Sequence, residues 1–235
     1  MVLILSLPLM CRSQETVFGH LTFQLPIAVG EFGETSNPTA GAGIRLNLYL
    51  RPTPTFPLQL GIDAGVFGRG RASEILNLNI AGFEDSYKVT ANNSVGNLGL
   101  LLKLEPLSGK QFSPYIEGEV GGNVFYSSVK FSRKNKGGDR QSVGRDDDLK
   151  GRWAPFFGGS AGLKITLGKK QKGGIELKCA YFWGGETSYN AKPQFSGENT
   201  VVFPRLTSRT DMLVPQIGVW VDFGKERKTE QNEEK

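Results

Sequence analysis

Strict alternation of apolar and polar side chains in the segment Q-I-G-V-W-V-D-F-G, residues 216–224, is the feature that most limits what this chain can fold into. Ile217, Val219 and Val221 fall on one side of an extended strand, whereas Gln216 and Asp222 fall on the other. Because successive side chains of a strand point to opposite faces, this period predicts a strand with a different environment on each face. The apolar face must meet either a protein core or lipid.

The same alternation recurs along the chain in long stretches. The longest apolar run, at 2–10, is shorter than the roughly 20 residues that a membrane-spanning helix needs. Most of the alternating stretches have about ten to twelve residues, which exceeds the length of a typical soluble strand and suits a tilted strand that crosses a membrane. The sequence therefore predicts eight strands, at 16–25, 41–51, 57–67, 93–104, 114–126, 154–167, 174–184 and 212–223.

The connections between these strands alternate in length. The short ones are rich in Pro, Gly and Lys, which favours tight turns, and lie at 51–56, 106–113 and 168–173. The long ones are polar and lie at 26–40, 68–92, 127–153 and 185–211. In an up-and-down meander, all the short turns lie at one end of the sheet and all the long loops at the other, which is typical of membrane barrels.

The two faces of the predicted strands differ in kind. Leu46, Leu60 and Leu100 represent an apolar face. The opposite face carries five basic and five acidic residues: Arg45, Arg51, Lys103, Lys164 and Lys178, with Asp63, Glu117, Glu119, Glu176 and Asp222. A lipocalin-like barrel would turn the apolar face inward, and a membrane barrel would turn it to lipid. Side chains can fill the interior of an eight-stranded barrel, so a balanced interior ion-pair network favours lipid on the apolar side.

Turn centres predict which charged residues pair across each short turn. The resulting pairs are Arg45 opposite Asp63, Lys103 diagonal to Glu117, and Lys164 opposite Lys178 with Glu176 placed diagonally to relieve the two cations. Aromatic residues on the apolar face predict an interfacial girdle near the long loops, formed by Tyr126, Phe157, Tyr181 and Trp183.

The last predicted strand carries a more specific pattern. Gln216, Gly218, Val221 and Phe223 match polar-x-Gly-x-x-hydrophobic-x-hydrophobic, the signal that the barrel assembly machinery reads in the final strand of outer-membrane barrels. On this pattern the chain resembles the small eight-stranded outer-membrane proteins of the OmpA and OmpX type. It is most similar to the bacteroidete "outer membrane protein β-barrel" family, whose mature chains often begin with Gln, as at Gln14 here. One departure is that eleven residues follow Gly224.

The resemblance implies an all-β fold: an eight-stranded antiparallel up-and-down transmembrane barrel, with long loops at one end and short turns at the other. The expected organisation is a signal peptide at 1–13, the barrel at 14–224 and a charged, disordered periplasmic tail at 225–235. A lipoprotein acylated at Cys11 is an alternative for the first segment. After cleavage only Cys179 remains, on the lipid side, so no internal disulfide is expected.

Candidate chemistry is sparse. His20, the single histidine, falls on the polar face near the short turns, where we expect an interior hydrogen-bonding role and no catalysis. Asp146, Asp147 and Asp148 could attract divalent cations, but their spacing does not match a Ca²⁺ loop. The segment G-R-G-R at 68–71 lacks the context of a phosphate loop and predicts the start of a loop. We therefore expect no catalytic residue, metal or cofactor.

These patterns predict a bacterial outer-membrane barrel with a plugged interior, which is not an enzyme and acts as a structural or interaction protein through its long loops. Two alternatives remain: a secreted or periplasmic lipocalin-like barrel that binds a small apolar ligand, and a component of an outer-membrane secretion or assembly complex. The expected partners are outer-membrane lipid, lipopolysaccharide phosphates and the barrel assembly machinery. Basic and acidic residues are mixed along the chain, which argues against nucleic-acid binding.

Overall fold

The computed structural model describes residues 16–35, 40–52, 56–80, 83–134, 140–168, 172–190, 194–196, 200–202 and 205–224. The expected signal peptide, Gln14 and the expected tail at 225–235 lie outside these residues. No helix in the described ranges is long and apolar enough to span a membrane.

Eight long strands form the barrel wall: β1 (Thr16–Gln24), β3 (Ala42–Arg51), β4 (Leu58–Ile80), β5 (Phe83–Leu104), β6 (Phe112–Lys134), β7 (Arg140–Thr166), β8 (Gly173–Gly184) and β13 (Met212–Asp222). The shorter elements are β2 (Ile27–Ala28), α1 (Gly30–Thr35), β9 (Glu186–Asn190), β10 (Gln194–Ser196), β11 (Thr200–Val202) and β12 (Arg205–Arg209).

The wall closes on itself. Each long strand pairs antiparallel with its neighbours in chain order, and the last strand, β13, pairs with both β8 and β1. The closing seam runs from Phe18 opposite Asp222 to Gln24 opposite Gln216. The predicted fold class, an eight-stranded antiparallel up-and-down barrel, is therefore confirmed.

The apolar face of the strands lies on the outside of the barrel. Leu46, Leu60 and Leu100 are 48 %, 51 % and 63 % exposed. On the opposite face, Arg45 and Asp63 are 2 % and 1 % exposed. Burying charge while exposing leucine is the reverse of a water-soluble protein, and it is stable only when lipid surrounds the wall. The predicted orientation is correct, and the wall is a transmembrane one.

Four strands run beyond the barrel, where long polar loops were predicted at 68–92 and 127–153. The β4–β5 ladder continues to Ile80 opposite Phe83, and the β6–β7 ladder continues to Lys134 opposite Arg140. Register shifts near Gly68 and Phe125 mark the rim of the barrel, a common place for bulges. The loop prediction was wrong here because apolar alternation is required only where one face of a strand meets lipid.

The other two long connections contain short elements that the sequence did not predict. Residues 26–40 include β2, which pairs with the first two residues of β13, and the six-residue helix α1. Residues 185–211 include two small antiparallel pairs, β9 with β12 and β10 with β11. A helix of this length is too short to display a 3.6-residue period, so its pattern could not be recognised.

The register of the three short-turn hairpins differs in detail from the predicted pairs. Arg45 lies opposite Gly65 and is diagonal to Asp63; Lys103 lies directly opposite Glu117; and Lys164 lies opposite Glu176, not Lys178. Moving a turn centre by one residue shifts the partner by two, which keeps every side chain on its own face. Gly109 and Gly168, with φ of 83° and 79°, supply the left-handed positions in two of these turns.

Candidate functional site

Among the described residues, ten charged side chains inside the barrel contact one another, and we call them the interior charge network. Its members come from six strands and from Glu105 at the end of β5, and all are buried: Arg45, Arg51, Asp63, Lys103, Glu105, Glu117, Glu119, Lys164, Glu176 and Lys178. Five are basic and five are acidic. A buried charge is costly unless it is paired, so the way these residues contact one another decides what the interior can do.

Arg45 makes the contacts of the interior charge network that lie nearest the long loops. Its Nη1 and Nη2 donate to the two carboxylate oxygens of Glu119 at 3.0 Å and 2.9 Å, the bidentate geometry that suits a guanidinium. Its Nε lies 3.0 Å from Asp63 Oδ1. Asp63 also accepts hydrogen bonds from Asn47 and Asn97. The guanidinium thus sits between two carboxylates that belong to other strands.

Near the middle of the barrel, the Glu117 carboxylate accepts hydrogen bonds from other strands. Lys178 Nζ and the Tyr49 hydroxyl donate to it at 2.5 Å and 2.6 Å, and Ser160 Oγ donates at 3.3 Å. Lys103 Nζ lies 3.9 Å from the same carboxylate. Hydrogen-bond donors from three strands and an ammonium group from a fourth therefore converge on one carboxylate.

The Glu176 carboxylate, on the opposite side of the barrel interior, accepts a second set of hydrogen bonds. His20 Nδ1 lies 2.7 Å from its Oε2, while Lys103 Nζ and the Tyr115 hydroxyl donate to Oε1 at 3.3 Å and 2.5 Å. Lys103 Nζ also lies 4.0 Å from the ring centroids of both Tyr49 and Tyr115. Since aromatic faces attract cations, these rings hold the ammonium group between the two central carboxylates.

Glu105 completes the network at the short-turn end, and the sequence reading missed it. Lys164 Nζ donates to both its oxygens, at 3.2 Å and 3.1 Å, Gln59 donates at 2.8 Å, and Arg51 Nη2 lies 3.6 Å away. The predicted member Asp222 is half-buried at the short-turn end, where it interacts electrostatically with Arg51 and its Oδ1 accepts the Gly224 N–H. Glu105 lies two residues after Lys103, so continuing the alternation past the predicted strand end would have found it.

A cluster of buried apolar side chains lies in the interior at the long-loop end. Phe67, Phe125, Phe156 and Phe182 are buried there in one cluster that also includes Phe32 of α1. Phe32 is fully buried, and its ring meets Phe125 edge-on at 6.2 Å. The helix therefore inserts an aromatic side chain into the mouth of the barrel.

His20 lies inside the barrel among residues of the interior charge network. The described hydrogen-bond partner of His20 is Glu176, and the ring packs against Tyr49 at 4.7 Å. Among the described residues, no serine, threonine or cysteine side chain bonds the imidazole, and no three metal-ligating side chains cluster. Of Asp146, Asp147 and Asp148, only the backbone is described, as part of β7.

The predicted girdle residues lie on the outer wall. Phe157 stacks on Trp183 with ring centroids 5.4 Å apart, and Tyr181 meets Trp183 edge-on at 4.8 Å. Tyr126 is exposed on β6. Trp153, which is 62 % exposed, lies on the same surface and was missed because it fell in a predicted loop. An apolar wall with aromatic residues at its edge is the architecture of a bacterial outer-membrane barrel, and the outer membrane is its location.

The residues of the predicted assembly signal lie along the closing seam. Gln216 points inward and is buried, whereas Val221 and Phe223 are exposed on the outer wall. Gly218 lies so close to β1 that an added Cβ would meet Leu21 O, so only glycine fits there without a shift. No protein of the assembly machinery is present, so recognition of this strand stays a prediction.

Three further predicted features can be placed. Cys179 is exposed on the outer wall. The G-R-G-R segment is not the start of a loop: it lies within β4 at the bulge, with Arg69 Cζ 4.2 Å from the Phe32 ring centroid. The missing N–H of Pro215 predicts a bulge or local weakness in the last strand, but no bulge forms: pairing with β8 continues across it, and its carbonyl accepts the Leu25 N–H at 3.0 Å.

No protein-family model matches the sequence, and no curated protein matches it. Among solved structures, the chain is similar to Neisserial surface protein A (NspA), with 11 % identity and a TM-score of 0.45 over 90 % of this chain and 98 % of that one. It is also similar to Ail, the attachment invasion locus protein of Yersinia pestis, with 10 % identity and a TM-score of 0.34 over 89 % and 97 % of the two chains. The outer membrane protein AlkL gives 15 % identity and a TM-score of 0.38 over 93 % and 94 %. At these identities the likeness is one of fold alone.

Proposed function

We propose that this protein is a monomeric outer-membrane barrel with a plugged interior, and that it acts as a structural or interaction protein through the strands that extend beyond its rim. It is not an enzyme and does not conduct solutes. The observation that carries the proposal is the continuation of β4, β5, β6 and β7 as a paired sheet past the point where the barrel closes.

The contents of the barrel support the plugged interior. Ion pairs cross the lumen from Arg45 to Glu119 and from Lys103 to Glu176. Above them, Phe32 packs into the apolar cluster at the mouth. Eight strands enclose a space that side chains can fill, whereas porins that leave an aqueous channel have about 16–18 strands. A lipocalin-like ligand would need an apolar cavity where this barrel has charged side chains.

The extension supports an interaction role because its two edge strands leave backbone groups available. The β3–β4 ladder ends at Ala42 opposite Gly68, and the β7–β8 ladder ends at Phe156 opposite Gly184. Beyond these pairs and the hydrogen bond from Gly185 N to Pro155 O, residues 70–80 of β4 and 140–154 of β7 each pair on one side only within the described part of the chain. At about 3.3 Å per residue, each edge is roughly 35–50 Å long. Unpaired strand edges are surfaces to which another chain can add a strand.

The experiment shortens the extension without touching the barrel. One variant replaces residues 71–92 and 128–147 by two-residue Asn-Gly turns, which suit the flanking pairs Gly70 with Asn93 and Ser127 with Asp148. The control variant replaces residues 191–204 in the same way, since Asn190 lies opposite Arg205. Proteins cross-linked to the barrel in intact outer membranes are then compared among the wild type and the two variants.

We expect both variants to migrate as compact species in unboiled gels and to stay in the detergent-extracted membrane fraction. Only the variant without the extension should lose its cross-linked partners. Unchanged cross-linking in that variant would contradict the interaction role, and a wild-type protein found wholly in the aqueous fraction would contradict the membrane barrel itself. Partners that form a secretion or assembly complex would favour that alternative over a simple surface-binding protein.

A further inference from the structure

A groove on the outer wall of the barrel combines apolar walls with a cation at one end. Its volume is about 750 Å³, which lies within the range of roughly 300–1,000 Å³ for small-molecule sites. It crosses strands β4 to β8, and its walls in the lipid-facing region include Leu98, Leu100, Val120 and Phe157. These side chains offer a surface complementary to a hydrocarbon chain.

Two tryptophans line the groove towards the long-loop end. Trp153 and Trp183 are 62 % and 46 % exposed. The Trp153 indole lies directly over Gly122, where any Cβ would collide with it, so the ring lies against the wall. Tryptophan side chains concentrate where hydrocarbon meets lipid headgroups. This part of the groove therefore marks the level at which a bound lipid would change from acyl chain to headgroup.

Arg209 lines the groove beside Gly184 and Gly185. It is the last residue of β12, outside the barrel wall, and it is exposed. A guanidinium binds phosphate oxygens through paired, charge-assisted hydrogen bonds. Along the groove, the apolar walls, the tryptophans and Arg209 thus occur in the same order as the acyl chain, the interfacial region and the phosphate group of a lipid.

A second groove on the same wall provides an internal comparison. It has a volume of about 520 Å³ near the short-turn end, and Val17, Leu48, Leu50 and Leu60 are among its lining residues. The residues that line it are aliphatic or glycine apart from Tyr49, and none is charged. Such a groove can accommodate acyl chains but has no means of selecting a headgroup.

We propose that the first groove binds an anionic phospholipid of the surrounding membrane, with one acyl chain against Leu98 and Phe157, the interfacial region against Trp153 and Trp183, and the headgroup phosphate on Arg209. The inference rests on the membrane location of the barrel and does not require the proposed role of the extension. One basic residue near the membrane surface gives about a fivefold preference for an anionic lipid.

The chain contains its own reporters for this test. Of its three tryptophans, Trp153 and Trp183 line the groove, whereas Trp220 is buried inside the barrel. The full-length protein is reconstituted in phosphatidylcholine vesicles that contain, at matched mole fraction, either brominated phosphatidylglycerol or brominated phosphatidylcholine. Bromine quenches tryptophan fluorescence on contact. The variants are Arg209→Gln and, as a control that removes an exposed basic charge on β6, Lys130→Gln.

Quenching of the wild type should indicate about a fivefold enrichment of the phosphatidylglycerol over the phosphatidylcholine. Arg209→Gln should abolish this preference, and Lys130→Gln should retain it. Equal quenching by the two lipids in the wild type would overturn the inference and leave the membrane barrel intact, since the groove would then hold lipid without selecting it. A preference that survives in Arg209→Gln would overturn the role of that residue. Quenching by neither lipid would overturn the membrane location as well.

Discussion

Replacing Arg45 by methionine tests whether the polar face is enclosed. The guanidinium is 3 % exposed and lies within 3.0 Å of both Asp63 and Glu119, whose side chains are 0 % and 2 % exposed. Methionine fills similar space but leaves two neighbouring carboxylates buried without their shared cation. Breaking a buried pair by removing one partner costs about 3–5 kcal/mol, so Arg45→Met should lower the free energy of unfolding by about that amount.

The assay is urea unfolding in lipid vesicles, followed by tryptophan fluorescence and by the mobility of unboiled samples in gels. Lys130→Met is the matched control, because Lys130 is exposed and a surface change alters stability by at most about 0.5 kcal/mol. The double variant Arg45→Met/Glu119→Gln should recover about 1–3 kcal/mol relative to the sum of its single variants. Equal losses for Arg45→Met and Lys130→Met would refute the reasoning, because they would place Arg45 in contact with water.

Three further predictions use the same unfolding assay or a local one. Leu46→Arg, at the centre of β3 on the outer wall, should cost about 2–4 kcal/mol because it places a cation in hydrocarbon; no loss would contradict the orientation of the wall. Glu105→Gln removes the negative charge that Lys164 and Arg51 face, so it should lower the free energy of unfolding by about 2–4 kcal/mol. Asp222→Asn, at the short-turn end of the barrel, should lower it by at most about 0.5 kcal/mol. The opposite order would show that Asp222 contributes more to the interior charge network than Glu105. Phe32→Ala should speed hydrogen exchange in α1 by an amount equivalent to about 3 kcal/mol, whereas the exposed Phe56→Ala should leave α1 unchanged; unchanged exchange in Phe32→Ala would show that the ring does not hold the helix.

Local patterns in the chain were enough to predict the wall. The period of two assigned Leu46 to one face and Arg45 to the other, and the structure keeps them there. The number of strands and the antiparallel order also followed, because each strand needs only enough residues to cross a bilayer and each short turn forces its neighbours to pair. The apolar alternation ends at the long-loop rim of the barrel, so the sequence could not predict that β4 to β7 continue into the extension.

The tertiary structure determined which interior charged residues contact one another. A register step of two residues leaves the alternation unchanged, so the sequence could not distinguish Lys164 opposite Lys178 from Lys164 opposite Glu176. The structure selects the second pairing, and it adds Glu105 to the charged residues that were predicted. Phe32 enters the mouth of the barrel through a helix too short to have a sequence signature. The face of each residue is a local property of the strand, whereas its partner depends on strands that meet only when the barrel closes.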